Sequence, residues 1–259
     1  MGRYRPPTMP TPSPCPTLEV PVDSIEAARL AIPFADRLEL CHDLSSEGWT
    51  PRSELVRAAR EAVEGTACTI VAMIRPELPG ARRELDVAAF TATPAVLDAS
   101  LREIEACAEA GAHSVAVGLL TADGFLDVEA CARLKILATE LGLVPAFLRT
   151  FDLLIDRRRA MRDIASLGFV RVVSAGVYGW DASVATLHER LETLAADVNL
   201  AESLAATLGR PPVEIVPGGG VRASNAKAFL GVSPHLHASC RRDGRISHEE
   251  LAALRGCLR

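Results

Sequence analysis

The chain has 259 residues, 49% of them hydrophobic and 24% charged, with a formal net charge of -5. Such a composition supports a soluble globular fold with a sizeable core and lacks the basic footprint of a nucleic-acid binder. No apolar run approaches the ~20 residues that span a bilayer, so neither nucleic acid nor a membrane is an expected partner.

The first seventeen residues, MGRYRPPTMPTPSPCPT, hold six prolines. Proline lacks the N–H that helices and ladders use, and the stretch has no apolar signal-peptide core. A disordered proline-rich tail is expected over 1–17, with one domain over 18–259.

From residue 18 short apolar runs alternate with helical spacing. Strands are expected over 18–22, 37–41, 69–74, 114–118, 144–148, 170–174, 213–217 and 235–238. Between the first two, Asp23 or Ser24 can cap IEAARLA. Thr93-Pro94 opens AVLDASLREIEACAEAG, which exits at Gly111. DVEACARLKILATELG ends on Gly142, and DRRRAMRDIASLG on Gly168. An extended or broken helix is expected within 180–210. Ser247 caps the last helix, with Glu250 completing a capping box.

Eight strands alternating with helices predict an α/β fold, a single (β/α)8 TIM barrel. A doubly wound sheet would place a glycine-rich turn after the first strand. That turn, VPVDSIEAA, has no glycine. Gly218, Gly219 and Gly220 instead follow the seventh strand, a common phosphate-binding position in barrels. They read either as an anion cradle or as a tight turn. In the cradle reading, Asn225 and a helix start near Ala223 face the same anion.

Side chains alternate faces along a strand. Glu19 opposes Leu18, Val20 and Val22, and Glu39 opposes Leu38 and Leu40. Both carboxylates should point into the barrel, with Cys41 nearer the mouth. Arg75 ends the third strand, while Arg149 and Asp152 lie just past the fifth. His235, His237 and Ser239 share one parity. These charges form either a self-satisfied barrel plug or a site at the C-terminal mouth. In the site reading Glu39 is the candidate acid or base, with His237 as the second. Arg75, Arg149, Asp152, Ser239 and the three glycines would hold a small anionic ligand.

Seven cysteines, an odd number with no CxxC pair, argue against a disulfide framework and a structural zinc site. A reducing cytosol fits them. Cys41 beside His42, and Cys240 near His237, supply soft donors for Cu(I). Cys41 is the candidate metal ligand, but one soft donor is too few for a tight site.

Together ADRLELC at 35–41, TP at 50–51, IRP at 74–76, GLLTADGFLD at 118–127, RTFD at 149–152, GGGV at 218–221 and HASC at 237–240 resemble the CutC family of copper homeostasis proteins. The order and spacing fit from residue 18 to the C-terminus. The resemblance implies a TIM barrel, a cytoplasmic setting and a role in copper handling. Against the family pattern, Leu148 stands for a histidine in FHRAFD, Glu77 for an arginine, and Val20-Pro21 for a cysteine pair. A first-strand thiolate site is therefore not expected.

The leading expectation is a CutC-like cytosolic barrel with an anionic small-molecule site at its mouth. One alternative is an enzyme acting on a phosphorylated or carboxylated metabolite, unconnected with copper. Another is a non-catalytic Cu(I)-binding protein. The reaction and a homo-oligomeric state stay open.

Overall fold

The alternation along each strand becomes the two faces of a barrel wall. In the computed structural model, which describes residues 15–82 and 84–259, the strands are β1 (Thr17–Val22), β2 (Arg37–Leu40), β3 (Thr69–Met73), β4 (Ser114–Val117), β5 (Val144–Phe147), β6 (Arg171–Ser174), β7 (Glu214–Pro217) and β8 (His235–His237). The helices are α1 (Ile25–Ala31), α2 (Ser53–Ala62), α3 (Pro94–Glu109), α4 (Val128–Glu140), α5 (Arg157–Leu167), α6 (Leu187–Leu208), α7 (Ala226–Leu230) and α8 (His248–Cys257). A two-stranded hairpin, β9 (Arg241–Arg242) and β10 (Arg245–Ile246), precedes α8.

The eight strands form one sheet in the order β7-β6-β5-β4-β3-β2-β1-β8, and every ladder in it is parallel. Only the β7–β8 seam lacks a ladder among the described residues. There Ser233 Oγ donates to the Ile215 carbonyl at 2.5 Å. The result is a nearly closed (β/α)8 barrel, as the sequence pattern predicts. Strand ends differ by a residue or two, within the usual uncertainty of element boundaries. Of the expected tail over 1–17, residues 1–14 lie outside the described residues, and Thr17 already belongs to β1.

Leu18, Val20, Val22, Leu38, Leu40, Ile70, Val115, Val117, Val172, Ile215 and Leu236 pack outward in the core shared with the helices. Each such burial stabilises by roughly 1.5–3 kcal/mol. The opposite parity fills the barrel. Cys41, Val71, Met73, Ala116, Ala146 and Leu148 form a separate inner cluster. The alanines of β4 and β5, Ala116 and Ala146, are the smallest members of that cluster.

The expected caps form at Ser24 and Thr93, each accepting a backbone N–H of the first turn. Asp127 caps α4, and Thr186 with Glu189 forms a full capping box on α6. The segment 180–210 holds one unbroken 22-residue helix, preceded by a short turn at Ala182–Val184. The capping box expected at α8 is half made. Ser247 Oγ accepts from Glu250 N at 3.3 Å, but the Glu250 carboxylate accepts from Ala223 N at 2.8 Å and Arg242 Nη2 at 3.1 Å instead.

Candidate functional site

Strand register builds the floor. Glu19 pairs with Arg37 across β1–β2 and with His237 across β1–β8. All three side chains point inward, so Glu19 meets both neighbours laterally. Glu19 Oε2 accepts from Arg37 Nε at 2.8 Å and lies 3.5 Å from Arg171 Nε. Glu19 Oε1 lies 3.0 Å from His237 Nδ1. His237 Nε2 faces Glu39 Oε2 across 3.9 Å.

These contacts separate the two carboxylates electrically. Burial would raise Glu19, but Arg37, the His237 hydrogen bond and Arg171 outweigh it and hold the carboxyl well below its usual range. Glu39 is raised to about 7, chiefly by burial and further by the charge of Glu19, against the opposing pull of His237. Burial would lower His237, yet the Glu19 hydrogen bond and the charges of Glu39 and Glu19 raise it. Two environments thus push like groups in opposite directions. With Nδ1 turned to Glu19, Nε2 faces the Glu39 carboxyl, and both residues line the cavity described next.

Ligand atoms of Glu19, Glu39 and His237 lie within 4.8 Å of one another. A divalent cation at this trio would compete with Arg37 and Arg171 for Glu19 Oε2 and with His237 for Oε1. The donor set therefore suits a proton better than a metal ion.

Above the floor, at the C-terminal ends of the strands, opens a cavity of about 730 Å³. Glu39, His237, Arg75, Arg149, Gly219, Gly220 and Ser239 all line it. The strand-end positions named from sequence are thus brought to one space. Arg75 is buried and stacked 3.8 Å over the Trp49 ring. It donates to the carbonyls of Ser46, Gly48 and Arg82 at 3.1, 3.0 and 2.9 Å, and burial lowers it to about 10. Arg149 stacks on Trp180 and donates to that residue's carbonyl.

Four named residues stand elsewhere. Asp152 is 1% exposed and lies behind the wall. Its Oδ1 accepts from Arg157 Nη1 at 3.0 Å and Ser174 Oγ at 2.7 Å; its Oδ2 accepts from Ala175 N at 2.7 Å and Arg149 Nε at 3.2 Å. It holds Arg149 in place. Gly218 is set back from the lining, its N–H donating to the Ser174 carbonyl at 2.8 Å. Cys41 is fully buried, its Sγ donating to the Val22 carbonyl at 3.6 Å, and burial pushes the thiol up. Cys240 is buried as well, its thiol pushed up to about 12.

The glycine turn differs from expectation in two respects. The free helix start near Ala223 does not exist, because α7 begins at Ala226 and Ala223 N donates to Glu250. Asn225 is likewise used inside the loop, accepting from Arg222 N and donating to the Gly220 carbonyl. What remains is the turn itself. Neither Gly219 N–H nor Gly220 N–H donates to a protein acceptor among the described residues.

Sequence reading missed Arg190 and Trp180, both on the lining. Trp180 follows β6 in an irregular loop with no periodic signal. Arg190 lies in the first turn of α6, where a charged residue ordinarily faces water.

The model of the CutC family matches residues 16–241. A CutC family protein of Vibrio atlanticus is 32% identical over 225 residues, covering 86% of this chain and 81% of that protein. The copper homeostasis protein cutC homolog of Homo sapiens is 31% identical over 230 residues, covering 86% of this chain and 73% of that one. Among solved structures, a copper homeostasis protein CutC from Streptococcus agalactiae superposes with a TM-score of 0.72 at 23% identity, over 90% of this chain and 100% of that one. A 3-hexulose-6-phosphate synthase shares the fold with a TM-score of 0.59 at 17% identity, over 93% of this chain and 99% of that one. The family match spans all eight strands of the barrel and the whole lining of the cavity: the chain belongs to the CutC family.

Proposed function

We propose that this CutC-family barrel binds a small phosphorylated metabolite at its C-terminal mouth and transforms it by acid–base chemistry. The carrying observation is the pairing of two unengaged N–H groups, at Gly219 and Gly220, with the Glu39–His237 floor in one cavity. Arg149, 3.4 Å from where a side chain at 219 would begin, adds positive charge at the turn. Glu39 and His237 handle the proton, and Glu19 orients the imidazole. The 3-hexulose-6-phosphate synthase with the same fold is named for a phosphorylated compound, which agrees with this reading.

Relatives of this chain are named for copper homeostasis. A dedicated Cu(I) site at Cys41 has less support here, because the thiol is sealed from the cavity and hydrogen-bonded. The free state of all the cysteines fits a cytosolic protein.

The test is thermal unfolding with inorganic phosphate and a panel of sugar phosphates, followed by turnover assays of the stabilising compounds. Stabilisation by millimolar phosphate supports the reading, as does turnover abolished in Glu39→Gln. Absence of any stabilisation by phosphate or its esters overturns it.

A further inference from the structure

Behind the glycine turn lies a guanidinium with an unusual set of partners. Arg190 Nη2 donates to the carbonyls of Gly218 and Gly219 at 2.8 and 2.7 Å. Its Nε donates to the Ala175 carbonyl at 2.7 Å. All three acceptors are main-chain oxygens. No carboxylate pairs with Arg190 within 4.0 Å among the described residues.

Peptide geometry carries this contact to the other side of the turn. In a trans peptide the N–H points opposite to the preceding C=O. With the Gly218 carbonyl on Arg190, the Gly219 N–H points away from it. With the Gly219 carbonyl on the same nitrogen, the Gly220 N–H points away as well. One side chain therefore turns two consecutive donors to the face of the turn opposite the guanidinium. The backbone this requires has φ of 65° at Gly219 and 81° at Gly220, which glycine adopts without a Cβ clash. A Cβ at Gly219 would lie 2.8 Å from Ala175 Cβ and 3.4 Å from Arg149 Cζ. A glycine there keeps the space between the turn and Arg149 open.

The charges beside the turn do not balance. Arg149, Arg157 and Arg190 face Asp152 and Asp197. Asp152 is divided between Arg149 and Arg157, and Asp197 is taken by Arg157 at 2.6 Å. Asp181, on the cavity lip, accepts from Ser183 N at 2.8 Å and is exposed to water. Arg190 is left without a counter-ion in a largely buried position. Two N–H donors from the turn and a guanidinium from β5's loop also approach from different directions. A tetrahedral anion can meet donors from several directions, whereas a carboxylate is planar.

We propose that Arg190 is the positioning residue of a phosphate-binding turn, holding the Gly218 and Gly219 carbonyls so that the N–H groups of Gly219 and Gly220 meet a tetrahedral dianion in preference to a carboxylate. This rests on the reading that the cavity takes a phosphorylated metabolite, and it assigns the seat of the phosphate group to the turn that Arg190 holds.

The experiment is calorimetric titration of wild type, Arg190→Lys and Arg190→Met with inorganic phosphate, sulfate and acetate near neutral pH, alongside thermal unfolding without ligand. Wild type should bind phosphate and sulfate at least about tenfold more tightly than acetate. Arg190→Lys keeps the charge but cannot span three carbonyls, and should lose about tenfold or more in phosphate affinity. A lysine variant that binds phosphate like wild type, with only its melting temperature lowered, makes Arg190 merely structural and overturns the proposal. Equal binding of acetate overturns the preference for phosphate. If wild type binds no phosphate, the functional reading falls first and this one with it.

Should the variants fail to fold, wild-type protein labelled with [15N]glycine answers the same question. Phosphate should shift the amides of Gly219 and Gly220 and leave Gly218, bonded to Ser174, in place. Equal movement of all three, or movement of neither Gly219 nor Gly220, overturns the proposal.

Discussion

Glu19 of β1 and His237 of β8 are register partners across the first and last strands of the barrel, and their side chains meet at 3.0 Å. Strand pairing thus joins residues separated by most of the chain and fixes which imidazole nitrogen faces the cavity.

The floor gives stability a defined pH dependence. Glu39 rises from an ordinary 4.5 to about 7 in the folded protein. Between those values the folded state holds the extra proton, so stability falls as pH rises. His237, also raised, acts in the same sense: its contribution is full below about 6.5 and is lost as pH climbs through its folded value. Glu19 is lowered, so its contribution is present above 4.5 and lost in acid. The melting temperature should peak near pH 4.5 and decline toward pH 8. Glu39→Gln should flatten that decline. Scans of both proteins from acid to mildly alkaline pH check this, and an unchanged slope in the variant contradicts it.

Glu19→Gln leaves Arg37 and Arg171 without their shared counter-charge inside the barrel. Breaking a buried pair from one side costs about 3–5 kcal/mol, and a loss in that range is expected from denaturant unfolding. The same change should lower the His237 pKa, read from its imidazole carbon-bound proton in NMR spectra. A loss below about 1 kcal/mol would mean that the ion pair is dispensable.

The two left-handed glycines should respond differently to side chains. Gly219→Val combines a φ of 65° with a Cβ 2.8 Å from Ala175 Cβ, so a loss of several kcal/mol is not needed to abolish phosphate stabilisation; displacement of the turn suffices. Gly220→Ala meets nothing within 4 Å and should cost only the left-handed penalty of about 1–2 kcal/mol. Melting curves with and without phosphate separate the two. Equal phosphate stabilisation in wild type and Gly219→Val would make the loop a simple turn.

Thiol accessibility bears on copper. Cys15 is exposed and Cys257 half-buried, while Cys41, Cys68, Cys107, Cys131 and Cys240 are buried. A thiol reagent should modify Cys15 first and Cys257 more slowly, with the other five reacting only on unfolding. Cys41→Ser should leave Cu(I) affinity, measured by chelator competition, within about twofold of wild type. Tight stoichiometric binding that disappears in Cys41→Ser would restore a dedicated site.

What the sequence determined was periodic. An apolar face on each strand forces the opposite parity inward, so Glu19 and Glu39 were placed inside the barrel by alternation alone. The alternation of strand and helix named the barrel, and the glycines after β7 marked the turn. Tertiary structure decided the roles that depend on distant partners. Asp152 offered no local sign that four donors would consume its carboxylate, or Ala223 that Glu250 would cap it. Arg190 carries a long side chain whose several rotatable bonds could have turned to water. Its direction is set only where α6 packs behind the turn after β7. Parity is a local geometric property of an extended chain, whereas the reach of an arginine and the use of a loop N–H are settled by what the closed barrel brings beside them.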